Sequence, residues 1–284
     1  MPPKLVLEFT KMNGAGNDFI VIDNRFYHFS DEELFDLARR LCPRRTGIGS
    51  DGLLAFARPA DAAHHYRMRY VNADGSLGTM CGNGARCLAR FARQVGLRDE
   101  EMLFESDAGV YRAIVPAEDD ADVRLYVKPP KHWQPNKPLT DASVMPSIHY
   151  LWTGTEHAVC FVDQVRELPV GDWGPVLRHD AALKPNGANI DFVEVLDSGS
   201  ASSEARLRVR TFEKGVEAET LACGTGAMAS ALVARFLGHI GADTVVIEMP
   251  GGLLRVGFRL DGDVVQDLYL EGPAESVYRG TVEV

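Results

Sequence analysis

Two short segments of this 284-residue chain hold the residue types most able to do chemistry, Cys81-Gly82-Asn83-Gly84-Ala85 and Cys223-Gly224-Thr225-Gly226-Ala227. In each, a thiol stands ahead of two glycines and an apolar run at helical spacing, so each cysteine sits where a helix begins. The first N–H groups of such a helix have no partner within it, and the glycines let the backbone turn tightly enough to offer them to a carboxylate or an enolate-like oxyanion. The positive helix end is also expected to lower the thiol's pKa. A lone cysteine beside glycine is more often a buried structural residue than a catalyst; a second copy changes that balance.

The copies belong to a wider repeat. Asn17-Asp18-Phe19-Ile20-Val21-Ile22-Asp23 resembles Asn189-Ile190-Asp191-Phe192-Val193-Glu194-Val195, and each precedes one of the cysteine segments at a different spacing. Two related domains with different insertions are expected, with two thiols facing one another across a cleft. A substrate between them would present a different face of its α-carbon to each. That geometry suits stereoinversion, in which one thiolate removes a weakly acidic α-proton and the opposite thiol supplies another.

The elements that must position these residues are readable in part. Leu5 to Phe9 and Phe19 to Asp23 are strand-like runs around an Asn13-Gly14-Ala15-Gly16-Asn17 turn. Ser30-Asp31-Glu32-Glu33 ahead of Leu34, Leu37, Ala38 and Leu41 is a capping box followed by helical spacing, stopped at Pro43. Further strands are predicted at 67–71, 102–105, 110–115, 123–127, 157–162, 190–195, 206–212, 245–249, 253–258 and 264–270, with helices after Cys81 and from Cys223 to Phe236. Many strands with few helices predict an α+β fold of two pseudo-symmetric domains, each a mostly antiparallel sheet wrapped around a central helix. Pro129-Pro130 and Pro135-Asn136-Lys137-Pro138 form the candidate linker. The expected division falls between residues 132 and 133.

Bulk properties narrow the function. With 45% hydrophobic and 25% charged residues the chain reads as globular, and a net charge of −10 argues against general binding to nucleic acid or anionic membranes. Met1 to Glu8 lacks the apolar stretch of an export signal, and the apolar run Leu221 to Ala234 is too short to span a bilayer. Five cysteines without a CxxC pair make neither a disulfide framework nor a zinc knuckle, so reduced thiols in the cytoplasm are expected. Cys42, Cys87 and Cys160 lie in apolar surroundings and read as structural. Neither glycine-rich segment has a Walker lysine or a GxGxxG fingerprint, which disfavours a nucleotide pocket. Taken alone, His157 reads as a satisfied buried imidazole and Glu213-Lys214-Gly215 as a solvated turn.

Together these motifs resemble the diaminopimelate epimerase family over nearly the whole chain. The resemblance rests on Lys11 to Phe19, on Asn72-Ala73-Asp74-Gly75 leading to Cys81 through Cys87, on Glu219 through Ala227, and on Glu271-Gly272-Pro273-Ala274. It implies interconversion of LL- and meso-2,6-diaminopimelate, on the route to lysine and peptidoglycan, without pyridoxal phosphate or a metal. Cys81 and Cys223 match its acid/base pair, and Asn17, Asn72 and Asn189 match substrate-binding positions. Gly82-Asn83 and Gly224-Thr225 match the helix-start pairs that bind a carboxylate, and His157 and Glu213 match residues that tune the thiols. Glu213-Lys214 stands where the family has Glu-Arg at the substrate, and Gly154-Thr155-Glu156-His157 where it has Gly-Asn-Pro-His. Gly52 replaces a glutamine of some members. The resemblance also implies that residues 273–284 return to complete the first domain, 1–132, leaving 133–272 as the second. The expected partner is a small amino-acid substrate, with no nucleic acid, no membrane, and a homodimer left open. Two other readings compete: a two-cysteine racemase of proline, hydroxyproline or histidine type, and a non-catalytic anion-binding or thiol-switch protein on the same scaffold.

Overall fold

The computed structural model describes residues 5–262 and 264–284; residues 1–4 of the segment read for an export signal lie outside them. The first half runs β1 (Val6–Gly14), β2 (Asn17–Asp23), α1 (Asn24–Tyr27), α2 (Asp31–Leu41), β3 (Gly52–Ala57), β4 (Tyr66–Asn72), β5 (Leu77–Gly78), α3 (Gly82–Gln94), β6 (Glu101–Ser106), β7 (Gly109–Ile114) and β8 (Val123–Tyr126). The second runs β9 (Lys131–Pro138), β10 (Ser147–Trp152), β11 (Glu156–Phe161), α4 (Val170–Arg178), β12 (Asn189–Asp197), β13 (Ala205–Glu213), β14 (Ala218–Thr220), α5 (Gly224–Phe236), β15 (Thr244–Met249), β16 (Gly252–Asp261) and β17 (Val264–Gly272). A last strand, β18 (Glu275–Glu283), follows. Contacts gather the chain into two units, one containing the residues up to Tyr126 with Glu271–Val284, the other Val127–Leu270.

In the first unit β18 pairs antiparallel with β1, β1 antiparallel with β2, β2 parallel with β3, β3 antiparallel with β4, and β4 parallel with β6, followed by antiparallel β7 and β8. The β1–β2 hairpin turns through Ala15 and Gly16, both at positive φ, the conformation a two-residue hairpin loop requires. Helix α2 forms as its sequence dictates. The Ser30 hydroxyl accepts from the Glu33 N–H, the Glu33 carboxylate accepts from the Ser30 N–H at 2.8 Å, and Leu34, Leu37, Ala38 and Leu41 are buried against the sheet. Helix α3 packs on β1, β2, β3, β4 and β8, and everything from Asn83 to Ala92 is buried.

The second unit repeats this order. β9 pairs antiparallel with β10, β10 antiparallel with β11, β11 parallel with β12, β12 antiparallel with β13, and β13 parallel with β15, followed by antiparallel β16. The short strand β14 lies on β13 as β5 lies on β4. Helix α5 packs on β10, β11, β12, β13, β15 and β16, and α4 takes up the crossover between the parallel strands β11 and β12. The α+β repeat with a buried central helix is therefore present, with two parallel pairings in each unit.

Two expectations are corrected. The matched segments at Asn17 and Asn189 are not equivalent: the first is β2, whereas the second is β12, whose counterpart is β3. Both are buried strands entered through an asparagine, and that common demand explains their likeness. The true counterparts follow from register. Phe19 faces Gly52 as His157 faces Asn189, and Leu54 faces Tyr70 as Asp191 faces Thr211. Of the proline-rich linker, Pro129-Pro130 lies between strands near the start of the second unit, whereas Pro135-Asn136-Lys137-Pro138 is the end of a strand, β9. It pairs only with β10 among the described residues, through an interrupted register, and a single bonded edge tolerates Pro135 and Pro138.

Candidate active site

Each unit brings one predicted thiol to the start of its central helix. Cys81 is the N-cap of α3, half-buried, with extended backbone, and the first helical bond runs from the Ala85 N–H to its carbonyl. The N–H groups of Gly82 and Asn83 consequently have no partner inside the helix. The Cys81 thiol donates to Asn17 Oδ1 at 3.5 Å, and Asn83 Nδ2 donates to the same oxygen at 3.4 Å. Asn17 is locked from behind, because its Nδ2 donates to Asp51 Oδ2 at 2.6 Å, an acceptor that fixes which end of the amide faces the sulfur. Arg44 binds Asp18 through two N–H groups and Asp51 through one, and Lys11 pairs with Asp18 at 2.7 Å. Burial works against the Asp18 charge, yet Arg44 and Lys11 hold its carboxyl well below the usual range. Asn83 in turn accepts from the fully buried Arg86 at 3.0 Å. Asn72, the last residue of β4, stands opposite Gly52 and donates to Ser76 Oγ at 3.0 Å.

Cys223 caps α5 in the same way, and the Ala227 N–H closes the first turn on its carbonyl. It is deeper, 6% exposed, with Thr225 Oγ1 at 3.4 Å from its sulfur. The Thr225 carbonyl accepts from Thr153 Oγ1 at 2.9 Å, which ties the helix start to the β10–β11 connection. Behind it lies a buried polar chain. The Lys214 N–H donates to Asn189 Oδ1 at 2.7 Å; Asn189 Nδ2 faces His157 Nε2 at 3.3 Å; His157 Nδ1 meets Asp191 Oδ2 at 2.6 Å; and Thr211 Oγ1 donates to Asp191 Oδ1 at 2.7 Å. His157, Asp191 and Thr211 are wholly buried.

The electrostatics correct one expectation. Burial first, then the Glu213 and Asp191 carboxylates, push the Cys223 thiol well above its ordinary value, and the opposing bonds from Thr225 and the Gly226 N–H do not offset them. The helix end is present but outweighed. Cys87 is pushed by burial to about 12, and burial raises Cys42 and Cys160 as well, as suits structural thiols. All five cysteines are free. Among the described residues no group of His, Cys, Asp and Glu could hold a metal ion, and no helix is long and apolar enough to cross a membrane.

The family model described as diaminopimelate epimerase matches residues 9–133 and 149–277, which include both half-sites. The chain belongs to the diaminopimelate epimerase family. It is 41% identical to the diaminopimelate epimerase of Chlorobaculum tepidum, over 95% of this chain and 99% of that one. With the enzyme of the same name from Methanocella arvoryzae it shares 38% identity over 98% and 97%. Among solved structures, a PhzF-family phenazine biosynthesis protein of Bacillus anthracis matches with a TM-score of 0.77 over 99% of this chain and 100% of that one, at 15% identity. A hydroxyproline epimerase of Agrobacterium vitis, solved with trans-4-hydroxy-L-proline, matches at 0.70 over 100% and 94%, also at 15%. At such identity these two share the fold.

Against this family the departures take on physical sense. Glu156 and Lys214 form an ion pair with each other, so the two unusual residues compensate one another. Glu156 also accepts from Asn186 Nδ2 at 2.9 Å and Thr155 Oγ1 at 3.1 Å. Gly52 has no room for a side chain, because a Cβ there would lie 2.7 Å from the Tyr70 ring and 2.8 Å from the Val71 carbonyl. Reading the sequence missed Asp191 and Asp51. The available signal for Asp191 was a carboxylate two positions after Asn189, on the same face of a strand whose neighbouring residues Ile190, Phe192 and Val193 are apolar.

Proposed function

We propose that this member of the family interconverts LL- and meso-2,6-diaminopimelate, with Cys81 and Cys223 as the two proton-transfer groups, in the cytoplasm where thiols stay reduced. The observation that carries the reading is the repeat of one structural unit with a cysteine as N-cap of each buried central helix. Inversion at an α-carbon needs a base on one face and an acid on the other. A thiolate takes the α-hydrogen as a proton, so the C–H bond breaks, an S–H bond forms and the electron pair moves into an enolate-like system with the carboxylate. The other thiol gives its proton to the opposite face of that carbon. Product leaves the two thiols with their protonation exchanged.

The rest of each half-site is suited to hold and orient. The N–H groups of Gly82-Asn83 and Gly224-Thr225 can receive a carboxylate as its charge builds, worth most in a site kept from water. Asn17, Asn72 and Asn189 offer amides, of which Asn17 and Asn189 are fixed in orientation by Asp51 and the Lys214 N–H. Glu213 acts on the second thiol through its charge and His157 is bonded to Asp191, the other carboxylate that acts on it, and the Lys214–Glu156 pair supplies adjacent opposite charges suited to an amino acid's carboxylate and ammonium.

The test is NMR of LL-diaminopimelate incubated with the protein in D₂O, beside Cys81→Ala and Cys223→Ala. Deuterium at the α-position with meso product, lost in both variants, is the expected result. Exchange with proline, hydroxyproline or histidine but not with diaminopimelate would make the chain a racemase of another amino acid. No exchange with any of them would remove the catalytic reading.

A further inference from the structure

The shared strand order allows the layer beneath each thiol to be compared residue by residue. Beneath α3 the layer is apolar. A Cβ on Gly84 would meet Leu54 at 3.2 Å and the Phe19 ring at 3.4 Å. Beneath α5 the counterparts of Phe19 and Leu54 are His157 and Asp191, and a Cβ on Gly226 would lie 2.4 Å from Asp191 Oδ1. The start of α3 therefore stands over hydrocarbon and the start of α5 over a buried carboxylate, while Asp51 of the first unit is linked to Cys81 only through Asn17.

The hydrogen bonds of that carboxylate fix the imidazole. The Lys214 N–H can only donate, so the atom of Asn189 facing it is the oxygen and the atom facing His157 is the amide nitrogen. That nitrogen donates, so His157 Nε2 accepts and the ring proton sits on Nδ1, 2.6 Å from Asp191. We infer that Asp191 is a positioning residue that makes the two half-sites unequal, holding His157 with its proton on Nδ1 and setting a negative charge under the start of α5 where the first unit has Leu54. The groups acting on the Cys223 sulfur are Asp191 of β12 and Glu213 of β13, and His157 of β11 is bonded to Asp191. The carboxylate beneath the start of α5 accordingly disfavours the thiolate form of Cys223. This deepens the two-thiol reading and rests on it for its consequence, whereas the arrangement of Asp191, His157 and Asn189 stands without it.

Two measurements test it. ¹⁵N spectra of the imidazole rings of the unaltered protein near neutral pH are expected to show one His157 tautomer, with Nδ1 protonated and Nε2 not. A proton on Nε2, or a mixture, overturns the proposal whether or not any variant folds. Iodoacetamide labelling of the folded protein, read peptide by peptide, is expected to modify Cys223 more slowly than Cys81. In Asp191→Asn the Cys223 rate is expected to rise about tenfold, the change in thiolate fraction that a pKa shift of about one unit brings, with the Cys81 and Cys42 rates unchanged. An unchanged Cys223 rate, or one that rises only together with faster amide hydrogen exchange across α5 and β12, overturns the charge effect. Neither readout needs catalysis, so failure of the D₂O experiment would overturn the proposed function and leave this result standing.

Discussion

At the scale of single residues, the second half-site depends on the space left by Gly226. A methyl group there would fall within bonding distance of the Asp191 carboxylate and force apart the helix start and β12. Gly226→Ala is expected to lower kcat about a hundredfold, as misplacement of catalytic groups by roughly 1 Å does. Gly84→Ala meets only the Leu54 methyl and the Phe19 ring edge and should cost less than about tenfold, so steady-state rates of the two variants check the asymmetry directly. The Glu156–Lys214 pair gives a pH prediction. Burial disfavours the Glu156 charge, but the Lys214 bond and charge outweigh it and lower the carboxyl from 4.5 to about 2. Because the folded-state value is the lower one, its stabilisation is complete above the unfolded value and fades as pH falls from about 4.5 to about 2. Urea midpoints of Glu156→Gln and the parent should differ near neutral pH and converge at the acid end of that window. The thiols were legible in the sequence because glycines and helical spacing surround them. Asp191 and Asp51 were not, because a buried carboxylate is identified by partners distant in the chain, such as His157 and Asn17.

At the scale of elements, legibility followed how local the determinants are. Helix α2 carries its own start signal and apolar stripe and was readable to its ends. Ser30→Ala should therefore cost about 1 kcal/mol in urea unfolding, the usual loss when a capping hydroxyl is removed. Helix α4 was not readable. It holds Gly171, Gly174 and Pro175 within nine residues and has no side-chain cap, so propensity argues against it. It forms because Val170 and Leu177 are buried on the second unit's sheet, and Gly174 fits where any Cβ would strike the Phe212 ring at 2.3 Å. Strand β9 escaped notice for a related reason, since its prolines conceal a segment that needs hydrogen bonds along only one edge. The mistaken match of β2 with β12 shows what a short likeness measures. Similar demands on buried strands produced similar residues, whereas common position is visible only in the pairing order.

At the scale of the whole chain, the two units differ in how sequence is assigned to them. The second is continuous from Val127 to Leu270, whereas the first needs β18, whose residues pair with β1 along nearly its full length. A chain ending at Gly272 is expected to retain cooperative unfolding of the second unit and to lose that of the first, which hydrogen exchange resolved by segment would show. Phe9 loses the Tyr278 ring packed edge-on at 5.8 Å in such a chain, and β1 is left with an unpaired edge. This arrangement also sets an order of events on the ribosome. The segment carrying Cys223 can fold once Leu270 has emerged, but the segment carrying Cys81, made before it, must wait for Glu271–Val284. The nascent protein therefore carries an incomplete first unit until β18 is made, and only over that last stretch does it stand beside a finished second one; a premature stop between Leu270 and β18 would yield a chain with one organised thiol site out of two.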